Sequence, residues 1–158
     1  TLAAEFPDAE LTVVRGTGVD DGDVSGIGAA VDAARDADVV VAVLGDRAGL
    51  FGRGTSGEGC DAESLTLPGA QQQLLDALLD SGTPVVTVLL AGRPYALGRA
   101  TAESAAIVQS FFPGVAGTRA IAGVLSGRTA PSGRLPVSVP RGTGAQTEPE
   151  ITCVVDSG

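Results

Sequence analysis

The sequence has no histidine, no lysine, no methionine and no tryptophan. Without histidine, neither a Ser-His-Asp nor a Cys-His nucleophile arrangement can be built within this chain, and the imidazole ligands usual at zinc sites are missing. Without lysine, all ten basic residues are arginine, and a Walker A phosphate loop is excluded. Positive charge is also scarce: the formal net charge is −9, which argues against nucleic-acid binding, since that needs cationic surface to displace counterions. No apolar run approaches the ~20 residues of a membrane span. The two cysteines, Cys60 and Cys153, lie far apart and form no CxxC, so neither a metal site nor a redox motif is indicated. With four Phe and one Tyr, the core must be built from Val, Leu, Ile and Ala, as buried parallel strands and their covering helices usually are. The chain opens without Met on TLAAEFPDAEL, as if part-way along a helix, and is expected to be a piece of a longer polypeptide. No signal peptide is visible, and the compartment, cytoplasmic or secreted, stays open.

What is present fits one globular domain. The 158 residues suffice for a real core, and 44% hydrophobic with 18% charged residues excludes disorder. Runs rich in Val, Ile and Leu recur at LTVVR (11–15), DVVVAVL (38–44), PVVTVLL (84–90) and AAIVQSF (105–111). Between them lie stretches with helical spacing. One carries Ile27, Ala30, Val31 and Ala34 on one face behind Ser25 as N-cap; a second opens at Pro68 and carries Leu74, Leu75, Leu78 and Leu79. A third fits Ala116 to Leu125, stopped by Gly127, and LPVSVP near 135–140 reads as a last strand confined by its prolines to a sheet edge. Strands alternating with helices predict an α/β fold: a mostly parallel, flavodoxin-like sheet with helices on both faces, a three-layer α/β/α sandwich. Residues 142–158 show little periodicity and are expected to form a loose tail.

In such sheets functional loops lie beyond the carboxyl ends of the strands. The connection from Leu44 to Pro68 is far longer than usual, which marks functional loops, and it contains GRGTSGEGCD (52–61). Gly52, Gly54 and Gly57 spell GxGxxG, but that fingerprint must follow a strand directly and open a helix. Here it does neither, so no nucleotide cofactor is expected. The same loop presents Glu58 between two glycines. Hydrolysis of a glycoside by paired carboxylates requires a second group, ~5–5.5 Å away in retaining enzymes. Asp61 is a candidate partner in principle, but it is better suited to anchoring the loop through backbone amides. The chemistry is half-supplied, and a second carboxylate must come from outside this chain.

SGEGCDAESLTLPGAQQQLL (56–75) resembles the C-terminal α/β domain of family 3 glycoside hydrolases, the β-glucosidases and β-xylosidases, whose pattern there is SGEGxDRxxLxLPGxQxxLI. Three further blocks agree in order: VVVAVLGDRAGLFGRGTSGEG (39–59), TPVVTVLLAGRPYAL (83–97) and FFPGVAGTRAIAGVLSGRTAPSGRLPVSVPR (111–141). The resemblance covers residues 1–141. It implies a sheet of about six strands between helices, packed on an N-terminal (β/α)8 barrel that is not in this chain. That barrel would carry the nucleophilic Asp and most sugar contacts, while this domain lends the acid/base Glu, at the position of Glu58. Substrates would be β-linked oligosaccharides or aryl glycosides. Departures from the pattern include Ala62 in place of the usual Arg, Thr118 in place of a second Gly, and the unrecognisable residues after Arg141.

Other residues carry both functional and structural readings. Arg47 and Arg53 could contact sugar hydroxyls, or pair with Asp46 or Asp61. Phe51 could stack on a sugar, or tuck beneath the loop. Cys60 reads as a small buried filler, and Asp20, Asp21 and Asp23 as a solvated loop without EF-hand spacing. The rival to a glycosidase domain is a non-catalytic flavodoxin-like module that binds a small ligand or a partner protein.

Overall fold

The computed structural model describes residues 1–142, so the expected tail at 142–158 lies, apart from Gly142, outside the described residues. The elements in chain order are α1 (Leu2–Glu5), α2 (Ile27–Arg35), β1 (Val40–Gly45), α3 (Gln71–Leu79), β2 (Val85–Leu90), α4 (Ala100–Glu103), β3 (Ala106–Gln109) and α5 (Gly117–Leu125). The strands form a parallel sheet in the order β1-β2-β3, with Ala42 opposite Thr87 and Thr87 opposite Ile107.

Side chains alternate across the sheet, and its two faces are used differently. Ala42, Leu44, Val85 and Leu89 face a core completed by Ala34 of α2, Leu74, Leu75 and Leu78 of α3, and Ala100 of α4. The four-residue spacing that puts Leu74 and Leu78 on one stripe of α3 is what seals this side. On the opposite face, Val41, Val43, Val88 and Leu90 look across a groove of about 470 Å³ toward Ile121, Ala122 and Leu125 of α5. Helices therefore flank both faces, as expected, but the α5 side is thinly covered: Val43 remains 55% exposed.

Several elements differ from the sequence-based expectation. Three strands form among the described residues, against the six that the resemblance implies. Residues 11–15 are not a strand, and Val13 is 94% exposed. β-propensity expresses a fit to a half-buried pleated surface, and these residues have no surface to cover. Residues 135–140 are likewise irregular, with Leu135 and Val137 exposed; Pro136 and Pro140 lack the amides that would join a ladder. α3 begins at Gln71 rather than Pro68, because Gly69 takes a left-handed φ of 58° that a helix cannot continue through. The N-cap of α2 is Gly26, not Ser25, whose amide instead donates to the Asp23 carboxylate at 2.9 Å.

The end of β1 is fixed by a buried side chain. The Gln71 carboxamide accepts from Gly45 N at 2.7 Å, and its Nε2 donates to Gly45 O at 2.8 Å and to Val19 O at 2.6 Å. One amide thus supplies the partners that a neighbouring strand would give.

Candidate active site

Beyond Gly45 the chain leaves the sheet and doubles back on itself over residues 46–60. Backbone bonds tie the two arms: Thr55 N donates to Arg47 O at 2.8 Å, and Gly49 N to Ser56 O at 3.0 Å. Glycine is required where the arms touch. A Cβ on Gly57, at φ 135°, would lie 1.9 Å from Gly49 O, and one on Gly54 would lie 2.5 Å from Arg47 O. The glycines spelling GxGxxG are therefore spent on packing backbone against backbone, and no helix begins until Gln71. This is not the strand–turn–helix geometry of a phosphate cradle.

A polar hub under the loop escapes a reading by motif. Asp46, the first residue after β1, accepts from Thr55 Oγ1 at 2.8 Å, from Gly92 N at 2.9 Å and from the Tyr95 hydroxyl. Arg93, on the connection following β2, is half-buried. One of its terminal nitrogens donates to Thr55 O and the other to Cys60 O. The only sequence signal for the hub was its placement: Asp46 and Arg93 each lie just past the carboxyl end of a strand.

The hub grips the loop and leaves Glu58 at its exposed end. Glu58 lies between Gly57, at φ 135°, and Gly59, at φ 71°, and its carboxylate makes no hydrogen bond or ion pair among the described residues. Phe51 is 78% exposed at a left-handed φ of 56°, so it does not tuck under the loop. Such a conformation is costly for a bulky residue, and it occurs here in the segment that carries Glu58. Arg53 is exposed and has no side-chain partner among the described residues. Asp61 is exposed too, and its side chain makes no hydrogen bond there; the anchoring expected of it is supplied by Arg93 and Asp46. Arg47 pairs with Asp20 rather than with Asp46, and Cys60 is buried, as its small apolar side chain suggested. Among the described residues no group of His, Cys, Asp and Glu is disposed to hold a metal ion, and no helix is long and apolar enough to cross a membrane.

Tyr95 is 2% exposed. Burial, reinforced by the bond to the Asp46 carboxylate and opposed by Arg93, pushes its hydroxyl up to about 12. The neutral form is favoured by folding, so this contribution is complete below the unfolded value of 10.0 and disappears as pH rises toward about 12. Denaturation midpoints should fall across that window, and the fall should be smaller in Tyr95→Phe. With one tyrosine and no lysine in the chain, phenolate absorbance follows this one group. An ordinary tyrosine titration midpoint in the folded protein would contradict the expected burial and bonding.

Comparison with known proteins gives a consistent picture. The glycosyl hydrolase family 3 C-terminal domain matches residues 3–153. A periplasmic beta-glucosidase of Salmonella typhimurium is 44% identical over 115 residues, covering 73% of this chain and 14% of that protein. A beta-xylosidase of Formosa agariphila is 32% identical over 135 residues, covering 85% of this chain and 18% of the other. Among solved structures, the beta-glucosidase from Listeria innocua in complex with glucose superposes with a TM-score of 0.69 at 34% identity, over 81% of this chain and 17% of that one. The chain thus spans less than a fifth of the length of each of these relatives.

Proposed function

The chain belongs to the glycosyl hydrolase family 3 C-terminal domains, and from that membership we propose that it supplies the acid/base carboxylate, Glu58, to a retaining exo-β-glycosidase of β-glucosidase or β-xylosidase type. The observation that carries this reading is a carboxylate left without internal partners on a loop that is gripped from below. A surface glutamate needs no such support; a proton donor that must meet a glycosidic oxygen does.

In the first step the Glu58 carboxylic acid gives its proton to the leaving oxygen as the C1–O bond breaks and the nucleophile's carboxylate bonds to C1. In the second, the Glu58 carboxylate takes a proton from water as the water oxygen bonds to C1 and releases the nucleophile. The nucleophile is assigned to an N-terminal (β/α)8 barrel, the partner against which this domain packs. Phe51 and Arg53, exposed on the same loop, are assigned to the substrate: the ring to the apolar face of a sugar, the guanidinium to hydroxyls.

The 158-residue chain alone should fold yet fail to hydrolyse aryl β-glucosides or β-xylosides. The same residues joined to a family 3 barrel should turn them over. Hydrolysis by the purified chain, abolished by substituting Asp61, would instead mean a self-contained carboxylate pair. A saturable rise in melting temperature with NAD, FAD or ATP, the sign of a stabilisation of about 2.7 kcal/mol at 100 times the dissociation constant, would favour the ligand-binding flavodoxin-like module.

A further inference from the structure

We propose that Arg93 is a positioning residue for the reaction: it holds the Glu58 loop at its working height through a two-pronged contact with the loop's own backbone. The inference rests on the acid/base reading of Glu58.

Thr55 and Cys60 flank the segment that contains Glu58, and Arg93 donates to the carbonyl of each. The guanidinium therefore spans the base of the loop and fixes the separation of its two feet. Between the feet, Gly57 and Gly59 give the backbone more freedom than any other residue would. Ser56 is tied to the opposite arm, its carbonyl accepting from Gly49 N at 3.0 Å and its amide donating to Arg47 O at 3.4 Å. Around Glu58 itself the ties are a turn, with Cys60 N on Gly57 O at 3.1 Å, and two long contacts to Glu58 O, from Gly52 N at 3.4 Å and Cys60 Sγ at 3.8 Å. Such a segment keeps one shape only if its feet do.

Arg93 is itself set in place from both sides. Gly92 N donates to Asp46 Oδ2 at 2.9 Å, and the Tyr95 hydroxyl donates to Oδ1 of the same carboxylate. Gly92 and Tyr95, on either side of Arg93 and Pro94, are thus fastened to one point at the end of β1, and the Arg93 side chain leaves that fixed stretch to reach the loop. Fixed order runs from the sheet through Asp46 to Arg93, and from Arg93 to the two carbonyls around Glu58. A planar guanidinium with rigidly spaced donors suits two carbonyls at set positions; an ammonium is a single point of charge and cannot set their separation.

The test has two arms. In the 158-residue chain, amide exchange is compared for wild type, Arg93→Lys and Arg93→Ala. Residues 52–60 should exchange roughly tenfold faster in both variants, while β1 and β2 keep their protection. Unchanged loop exchange would overturn the proposal. In the same domain joined to its barrel, Arg93→Lys should lower kcat on cellobiose or xylobiose about 100-fold, the cost of displacing a reacting group by about 1 Å. On dinitrophenyl glycosides kcat/KM, which reports the first step, should fall much less, and KM for cellobiose or xylobiose should stay nearly constant. Glu58→Ala is run beside it. If Glu58→Ala discriminates between leaving groups and the Arg93 variants do not, Arg93 has no positioning role. If Glu58→Ala itself fails to discriminate, the acid/base reading falls instead, and the positioning role falls with it. Arg93→Lys keeps the charge and most of the volume, so a folded variant remains available if Arg93→Ala does not fold.

Discussion

Glu58→Ala and Glu58→Gln, in a polypeptide joining this domain to its barrel, are expected to slow hydrolysis of cellobiose or xylobiose by roughly 100- to 10,000-fold, the range that general acid–base catalysis contributes. Dinitrophenyl glycosides should lose far less in the first step, because their leaving group departs without a proton. With these substrates the glycosyl-enzyme intermediate should accumulate, since its hydrolysis still needs a base to activate water. Azide, which needs no base, should rescue turnover in the alanine variant and give a β-glycosyl azide. Glutamine keeps the shape but carries no transferable proton, and its larger side chain should leave less room for azide. Equal losses on both substrates without azide rescue would falsify the acid/base role and leave Glu58 as a loop-shaping residue.

The second large effect belongs to the core. Leu75 has no exposed surface and lies on α3 within the cluster formed with the inner faces of β1 and β2. Leu75→Ala removes buried apolar atoms and leaves a cavity that the flanking strands cannot collapse around, which should cost about 2–5 kcal/mol. Urea denaturation monitored by circular dichroism measures it directly. Leu79, packed only at the edge of the same cluster, should cost distinctly less on the same change. If the two substitutions cost the same, α3 is not seated as described. Since β1 leads into the Glu58 loop and α3 follows it, a loosened α3 should also weaken the Gln71 contacts at Gly45.

The α/β architecture is legible in the sequence because its three strands are dense in Val, Ile and Leu, and because α3 and α5 keep clean helical spacing. LTVVR and LPVSVP were equally strand-like in composition. What separates them from β1 is the presence of a neighbour, a tertiary condition that local pattern does not encode. The loop's importance was legible from its length, and Glu58 from the glycines beside it together with the family resemblance. Its support was not. Gly92, the residue before Arg93, stands 46 residues from Asp46, and nothing in the order of residues announces that Asp46 and Arg93 meet beneath one loop. Anchoring was expected from Asp61 because it was close in sequence, whereas the fold supplies it from the next strand's end.

The bond between Glu5 and Arg128 joins residues 123 positions apart. Arg128 Nε donates to the Glu5 carboxylate at 2.9 Å, and Ser126 Oγ adds a second bond at 2.9 Å. No residue of α1 between Leu2 and Glu5 is buried, so this segment is held by these bonds rather than by a core of its own. β1, α3 and β2, by contrast, lie close along the chain. The consequence is an order of assembly: the central strand–helix–strand unit can form early, while α1 must wait until α5 is in place, because its partner sits just past that helix. α1 is accordingly the last piece to lock and the first to come away, a clasp whose closure reports that the rest has folded.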